Sequence, residues 1–320
     1  MLNSSLTTEL KSTREAYGDV LVEVGEKNEK IVVFDAETSN STFSEKFKKI
    51  YPERFFEMFI AEQNMISVAL GMSKMGFIPF VSSFAAFLSR AFDQMRMAQY
   101  SNANLKIVGS HCGVSIGADG PSQMALEDLA WSRSLLQSVV FYPSDYYQTK
   151  KLTEVMANNQ GLFYLRLTRS ETPTIYRDNQ DFKIGGSFLH QNQSMKNFKN
   201  KVLLITAGIT LFEGLKAQEQ LVNENIDLQV LDCYSIKPLD ETTVIKLTSK
   251  IKNVIVIEDH YPYGGLGEAV SSLFTTKNIS LKNYLHLAVK KIPMSGTSEE
   301  LLSYMEIDSQ AIIKASKSFF

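Results

Sequence analysis

The sequence predicts an α/β protein built from two doubly wound domains. Short apolar, β-branched runs alternate with helix-like segments, which is typical of parallel strands covered by helices on both faces of a sheet. Helix-like segments in the first half include residues 62–76 and 122–136. The predicted strands of that half are KIVVF at 30–34, FIPFV at 77–81, LKIVG at 105–109, SVVFY at 138–142 and GLFYLRL at 161–167.

A change of composition divides the chain. Residues 170–200 are polar and contain Pro, Gly, Asn and Gln, which is typical of a linker that contributes a strand. We therefore expect a first domain at residues 1–175, a linker at 176–190 and a second, smaller domain at 191–320. In the second domain the alternation restarts with VLLITAG at 202–208, a helix around 211–224, LQVLDCY at 228–234, a helix around 240–252 and NVIVIED at 253–259.

Composition narrows the classes of function. The 320 residues are 44% hydrophobic and 21% charged, as in a globular protein, and the formal net charge of −2 favours neither nucleic acid nor an anionic membrane as partner. No apolar run is long enough to span a membrane, and the polar N-terminus lacks the apolar core of a signal peptide. Cys112 and Cys233 lie far apart, so we expect a reducing cytoplasm and no disulfide.

Four histidines occur without an HExxH motif or clustered carboxylates, so we expect no metal site built by this chain alone. Motifs for dinucleotides, P-loop phosphates, hydrolase nucleophiles and kinases are also missing from the sequence. These omissions disfavour the common nucleotide and hydrolase chemistries.

Three stretches could carry chemistry. Glu62 opens the predicted helix at 62–76, where a helix-start acid is the ordinary interpretation because the helix N-terminus is electropositive. GSHCGVSIGADGPSQMALEDLA at 109–130 follows a strand, at the edge of the sheet where ligands sit in open α/β folds. The glycines of YGGLGEAV at 263–270 either cradle an anion or allow tight packing. From the residues alone, the chain is a two-domain α/β protein with a ligand loop near His111 and Asp119.

The same stretches resemble a known family. NSTFSEKFKKIYPERFFEMFIAEQNM, SSFAAFLSRAFDQMRM and the 109–130 loop, in that order, resemble the pyrimidine-binding domain of transketolases, closest to the animal-type branch. DCYSIKPLD and VIVIEDHYPYGGLGEAV resemble the transketolase C-terminal domain. The resemblance runs from about Ser12 to the end and implies a thiamine diphosphate pyrimidine-binding domain followed by a smaller transketolase C-terminal domain.

The resemblance implies a role for four cofactor-binding residues. Glu62 matches the catalytic glutamate that hydrogen-bonds a ring nitrogen of the aminopyrimidine and so activates thiamine diphosphate. Phe84 and Phe87 match aromatic positions around that ring, although alone they would be read as core residues. Gln123 stands where many microbial transketolases have histidine, and the animal-type branch has glutamine there.

The resemblance also implies a substrate site. His111, which we count with Glu62 as catalytic, and Asp119 match residues that contact the hydroxyls of the sugar. Arg14, Ser41 and Arg169 match a cluster that grips the terminal phosphate of the substrate, a task that suits guanidinium groups. Taken singly, each of these three would be read as a surface residue.

Some positions depart from the family pattern or receive no role from it. Ala118 replaces the glutamate usual before Asp-Gly-Pro, which puts the hydrogen bonding of that loop in doubt. Arg90 and Asp93 are interpreted as structural or interface residues. His260 and the GGLG loop are assigned to packing and subunit contacts.

A complete transketolase is about twice as long, and nothing in this chain matches the Gly-Asp-Gly…Asn module that holds the diphosphate and metal. The resemblance therefore implies a subunit of a split transketolase that transfers a two-carbon ketol unit between sugar phosphates, as in the pentose phosphate pathway. Its partner would be an N-terminal subunit that holds the diphosphate and Mg²⁺ or Ca²⁺, with two copies of each subunit in a heterotetramer.

Two alternatives remain open from the sequence. One is half of a deoxyxylulose phosphate synthase-like or 2-oxo-acid dehydrogenase-like thiamine enzyme. The synthases share the GADGP turn but carry arginine at the position of His111, and the dehydrogenase subunits lack the phosphate-gripping set. The other alternative is a non-catalytic binding half.

Overall fold

The computed structural model describes residues 9–191 and 198–320. Residues 1–8 and 192–197, which the sequence assigns to the first and second domains, lie outside the described residues. The strands are β1 (Leu10–Ser12), β2 (Ile31–Asp35), β3 (Phe55–Glu57), β4 (Ile78–Phe84), β5 (Leu105–Ser110), β6 (Ser138–Phe141), β7 (Leu162–Arg166), β8 (Glu171–Pro173), β9 (Phe188–His190), β10 (Asn200–Thr206), β11 (Ile226–Asp232), β12 (Ser235–Lys237), β13 (Asn253–Ile257) and β14 (Asn283–Leu287).

Helices connect most of these strands, and short 3₁₀ turns extend or link several of them. No helix among the described residues is both long and apolar enough to cross a membrane. The α-helices are α1 (Thr13–Lys27), α2 (Ser39–Thr42), α3 (Glu45–Ile50), α4 (Glu62–Lys74), α5 (Ala85–Leu88), α6 (Phe92–Tyr100), α7 (Asp128–Ser134), α8 (Tyr146–Asn158), α9 (Thr210–Leu221), α10 (Glu241–Thr248), α11 (Leu266–Thr276), α12 (Ser298–Tyr304) and α13 (Ser309–Lys317).

The first sheet has the strand order β12-β6-β7-β5-β4-β2-β3. All of its neighbouring pairs are parallel except the pair of β12 with β6. Both faces are covered: Val33 packs in one apolar cluster with α1, α3 and α8, and its neighbour Val32 packs in the other with α4 and α6. This explains the continuous apolar runs in the sequence, because a parallel strand alternates its side chains between two buried faces.

The second sheet has the order β14-β13-β10-β11-β9 and is parallel except for β9 at its edge. Helices α9 and α13 pack on one face, and α10 and α11 on the other. The predicted class, two doubly wound α/β units, is therefore confirmed, while the domain limits at 175/176 and 190/191 stay a prediction.

One predicted helix is much shorter than expected. The sequence pattern suggests residues 122–136, but the helix covers only Asp128–Ser134. Before it, Ala125 forms a parallel bridge with Cys112, and the carbonyl of Ala125 accepts a hydrogen bond from Gly113 at 2.8 Å. Pairing with the loop after β5 therefore holds this stretch in an extended conformation.

The glycines of the GGLG stretch serve packing. The carboxylate of Glu258 accepts hydrogen bonds from the amides of Leu266 at 2.6 Å and Gly267 at 2.9 Å, at the start of α11. A Cβ atom on Gly265 would lie 2.0 Å from that carboxylate. The anion at this helix N-terminus is thus a side chain of the protein itself.

A buried charged cluster joins the two sheets. Arg166 at the end of β7 forms an ion pair with Asp128, at 2.8 Å between Nε and Oδ2, and both side chains are fully buried. The same guanidinium donates through Nη2 to the carbonyl of Asp259, beyond β13, at 2.9 Å. His260 accepts a hydrogen bond through Nε2 from the amide of Leu129 at 3.2 Å. Strand β12 adds a second connection, because it follows β11 in the chain but pairs with β6.

We expect Asp128→Asn to destabilise the protein by about 3–5 kcal/mol, because the buried guanidinium of Arg166 loses its counter-charge. The shift of the urea-unfolding midpoint measures this effect. Glu224→Gln is the control, since the Glu224–Lys317 pair is about half exposed and its loss should cost roughly 1 kcal/mol or less. Equal shifts in the two variants would contradict the importance of the buried pair.

Candidate functional site

The candidate site lies at the edge of the first sheet where its parallel strands end. The carboxyl ends of neighbouring parallel strands meet there, and ligands of open α/β sheets bind at this edge. Ser41 follows β2, Phe84 ends β4, and His111 follows β5. Arg169 follows β7, and Arg14 lies in the first turn of α1, where the Ser12 side chain caps the helix by accepting from the Arg14 amide.

These residues line a cleft of about 470 Å³. Seven of its nine lining residues were predicted from the sequence as site residues. The other two, Asn40 and Phe43, were not predicted, because nothing in a polar loop and a single aromatic residue distinguished them. The lining consists of Arg14, Asn40, Ser41, Phe43, Phe84, His111, Asp119, Gln123 and Arg169.

Two guanidinium groups give the cleft a positive end. Arg14 donates to the backbone carbonyls of Ser41 and Arg169, and Arg169 lies 3.2 Å from the carboxylate of Asp119. Burial, together with the charge of Arg169, lowers the pKa of Arg14 to about 10, which still leaves the side chain charged near neutral pH. Asp119 supplies one negative charge against the two positive charges of Arg14 and Arg169. These three side chains therefore leave a net positive charge, which suits an anion.

His111 is held neutral in this cleft. Its backbone has a φ of 58°, which is unusual for a residue with a side chain. Its ring stacks on Phe84 with the centroids 3.7 Å apart, and Nδ1 lies 3.0 Å from the hydroxyl of Ser110. Burial, followed by the charges of Arg14 and Arg169, lowers the pKa of His111 to about 3. At neutral pH the ring is therefore an uncharged hydrogen-bonding group, suited to hydroxyls rather than to anions.

A buried carboxylate shapes the loop that carries Asn40 and Ser41. Asp35, at the end of β2, is fully buried and accepts hydrogen bonds from Thr38, Thr42 and Ser44 at 2.6–2.9 Å. Burial raises its pKa to about 6 despite these donors. The three hydroxyl side chains of Thr38, Thr42 and Ser44 thus close the loop onto one acid.

Glu62 belongs to the same site through a chain of contacts. Phe84 stacks on Phe87 with the centroids 5.2 Å apart, and the guanidinium of Arg90 lies 5.7 Å from the Phe87 ring. Arg90 donates through Nη1 to both carboxylate oxygens of Glu62, at 3.0 and 3.2 Å. The structure therefore connects Glu62 to the two phenylalanines and His111 through Arg90, and the roles of these residues stay a prediction.

The partner of Glu62 was not predicted. The sequence suggests a structural or interface role for Arg90, yet this side chain neutralises a carboxylate that is only 1% exposed. No short motif links positions 28 residues apart, so only the fold reveals the pair. A buried acid linked through Arg90 to two stacked aromatic rings fits an aminopyrimidine, which offers a ring face for stacking and a ring nitrogen for a hydrogen bond.

A metal ion would need ligands from elsewhere. Within residues 9–191 and 198–320, no group of three or more His, Cys, Asp and Glu side chains could hold one.

We expect the ring of His111 to keep its uncharged form from pH 8 down to about pH 5. The folded pKa of about 3 lies below the ordinary value of 6.5, so stability from this residue is present above pH 6.5 and is lost as pH falls towards 3. Proton NMR of the four histidines follows each titration, and the His111→Gln spectrum identifies the resonance. A midpoint above pH 5 for His111 would contradict its burial against Arg14 and Arg169.

Two family models match the chain. The model "Transketolase, pyrimidine binding domain" matches residues 10–174, and "Transketolase, C-terminal domain" matches residues 193–312. Human transketolase is 47% identical over 307 residues, covering 95% of this chain and 48% of the human protein. Mouse transketolase-like protein 2 is 48% identical over 309 residues, covering 96% of this chain and 48% of that protein.

Solved structures agree with this relationship. A split-gene transketolase, described as an inactive beta4 tetramer, superposes with a TM-score of 0.86 at 35% identity, covering 96% of this chain and 97% of that one. Transketolase from Campylobacter jejuni shares the fold, with a TM-score of 0.81 at 16% identity, over 97% of this chain and 47% of that one. The chain spans about half the length of the curated relatives it matches, and within that span it belongs to the transketolase family.

Proposed function

We propose that this chain is one subunit of a split, thiamine diphosphate-dependent transketolase. It would transfer a two-carbon ketol unit from a ketose phosphate to an aldose phosphate. The observation that carries the proposal is the run of contacts from Glu62 through Arg90, Phe87 and Phe84 to His111, which ends in a cleft with two guanidinium groups.

Different residues of the cleft suit different groups of a sugar phosphate. At one end, Arg14 and Arg169 supply the positive charge that a terminal phosphate dianion requires, and Ser41 stands beside them in the cleft. Further in, neutral His111 and the carboxylate of Asp119 can donate to and accept from the hydroxyls of a sugar. A phosphorylated ketose or aldose combines both kinds of group.

Glu62 would hold a ring nitrogen of the aminopyrimidine, with Phe84 and Phe87 against the ring and Gln123 nearby. Thiamine diphosphate, when bound, supplies a nucleophilic carbon that attacks the carbonyl of the donor sugar. The task of Glu62 is to accept or share the proton of the ring nitrogen, and its near-complete burial strengthens that hydrogen bond by excluding water. Arg90 balances the charge of Glu62, and its half-exposed side chain leaves it free to move when the ring binds.

The diphosphate and its Mg²⁺ or Ca²⁺ would be held by an N-terminal transketolase subunit. The split-gene transketolase that superposes on nearly the whole chain supports this arrangement. Large apolar side chains are exposed directly before Glu62: Phe59 is 64% and Ile60 is 74% exposed. Such a surface is typical of a protein interface, and we propose a heterotetramer with two copies of each subunit.

The two cysteines support a reducing compartment. Cys112 and Cys233 are both buried and free, which agrees with a proposed place in the cytoplasm. Neither nucleic acid nor a membrane is proposed as a partner, and the pentose phosphate pathway is proposed as the source of the substrates.

The test is a ketol-transfer assay with xylulose 5-phosphate and ribose 5-phosphate, thiamine diphosphate and magnesium, on this chain co-purified with its N-terminal subunit. We expect activity that requires both subunits. Glu62→Gln should lower kcat by about 10²–10⁴-fold, because an amide cannot take the proton. Glu53→Gln is the matched control, since this carboxylate is 68% exposed on the surface, and it should leave activity unchanged.

Two outcomes would contradict the proposal. An assembled complex that binds cofactor but turns over no ketose phosphate would exclude a transketolase. Turnover of pyruvate as donor would instead indicate a deoxyxylulose phosphate synthase-like or 2-oxo-acid dehydrogenase-like enzyme.

A further inference from the structure

The loop that carries His111, residues 110–123 (the His111 loop), lies against the C-terminal domain. The amides of Val114 and Ser115 donate to the carboxylate of Asp259, at 2.8 Å to Oδ1 and 3.2 Å to Oδ2. Asp259 follows β13 and is fully buried. These two bonds cross 145 and 144 residues of sequence, so a residue of the second domain supplies the acceptors for the turn of the loop.

Two glycines of the loop allow this close approach. Gly113 has a φ of 82°, and a Cβ atom there would lie 2.0 Å from the carboxylate of Asp259. Gly120 also has a φ of 82°, and its Cβ would lie 2.7 Å from the hydroxyl of Ser295. A side chain at Gly113 would displace the loop or the buried carboxylate of Asp259, whereas at Gly120 the Ser295 hydroxyl could rotate away and the cost lies in the positive φ.

The other side of the loop is fixed by the first domain. The amide of Cys112 donates to the carbonyl of Leu167, and the Ser115 hydroxyl contacts the hydroxyl of Thr168, both at 3.2 Å. His111, one residue before Cys112, therefore keeps its unfavourable backbone conformation between two anchored segments. A positive φ on such a residue persists only where the surroundings hold it.

We infer that Asp259 is a positioning residue for the substrate site. Its carboxylate sets the turn after His111, and so fixes the His111 ring against Phe84 and Asp119 beside the cleft. The C-terminal domain, which has no catalytic role in the sequence-based prediction, then determines how tightly the donor sugar is held. The part that concerns the sugar rests on the proposed function, whereas the positioning of the loop does not.

Asp259→Asn tests the inference with little change of shape. The amide keeps one acceptor for Val114, but its NH₂ group meets the N–H of Ser115, and two donors cannot bond. Asp232→Asn is the matched control. Asp232 is also fully buried and accepts hydrogen bonds from Tyr176 and Gln148, and within the part of the chain that the structure describes none of its hydrogen bonds reaches the His111 loop.

The first readout is hydrogen exchange of the amides in peptides covering residues 109–125, which needs no activity. We expect exchange of the Ser115 amide to be about tenfold faster in Asp259→Asn, and unchanged in Asp232→Asn, since its bond to a charged acceptor is worth about that factor. Unchanged exchange in Asp259→Asn would overturn the inference.

The second readout is kinetic and uses the assembled complex. In Asp259→Asn the KM for the ketose should rise about tenfold while the Kd of thiamine diphosphate changes far less, because Glu62, Phe84 and Phe87 lie on other segments and only Gln123, at the end of the loop, belongs to it. A loss of activity with unchanged KM, equal in both variants, would mean a structural role only and would overturn the inference.

A complex that transfers no ketol units at all would contradict the proposed function, and the exchange experiment would still decide the positioning of the loop. If Asp259→Asn does not fold, Gly113→Ala replaces it, because this variant displaces the loop and leaves the carboxylate in place. Faster exchange in Gly113→Ala, with a raised KM, is then the expected result, and unchanged exchange overturns the inference.

Discussion

The buried guanidinium of Arg166 connects the two domains and supports the site. Arg166 lies at the end of a central strand where every neighbouring side chain is buried, so its charge requires partners inside the protein. Asp128 supplies the counter-charge from α7, and the carbonyl of Asp259 supplies an acceptor from the second domain. The guanidinium also lies 4.4 Å from the ring of Tyr142. Displacing Arg166 would therefore loosen α7, the joint between the domains and the base of the His111 loop together.

The two buried acids near the site, Asp35 and Glu62, have different partners that replace water around the carboxylate. Asp35 is surrounded by hydroxyls and an amide, which supply hydrogen bonds but no charge, so burial raises its pKa to about 6. Glu62 has a cation instead, from a side chain that is half exposed and can leave. A carboxylate that only shapes a loop, such as Asp35, gains nothing from a partner that can move away. A carboxylate that binds a ligand, as we propose for Glu62, gains from such a partner, because the partner can be displaced without breaking the fold.

Much of the fold follows from sequence patterns because a parallel sheet demands apolar runs of a fixed kind. The runs at 30–34, 105–109 and 253–259 coincide with β2, β5 and β13 within about two residues. The helix predicted at 122–136 fails in its first half, where Ala125 donates to the carbonyl of His111, accepts from the amide of Gly113 and so forms a bridge with Cys112 that local periodicity does not show. Local pattern therefore decides an element only where no distant segment competes for its backbone.

The candidate site likewise contains residues that local sequence reveals and residues that only distant contacts reveal. Seven of the nine residues that line the cleft could be named in advance from stretches that resemble the family, whereas Arg90 and Asp259 act through contacts made only in the folded chain. Arg90 looks like a surface charge in RAFDQ, and Asp259 looks like the end of a strand. Each of these two side chains brings a charge to a largely buried part of the protein. Arg90 holds Glu62, which would face the cofactor ring, and Asp259 holds the loop that carries His111 at the cleft.

These two contacts also differ in how they can respond to a ligand. The Arg90 pair links two segments of the first domain and is open to solvent on one side, so a bound ring or a second subunit could replace it. The Asp259 bonds lie between the domains with no exposed atom to compete for them. One part of the site is thus free to rearrange while the other stays fixed, which is what a subunit needs if it completes its cofactor site on assembly yet presents the sugar at a constant place.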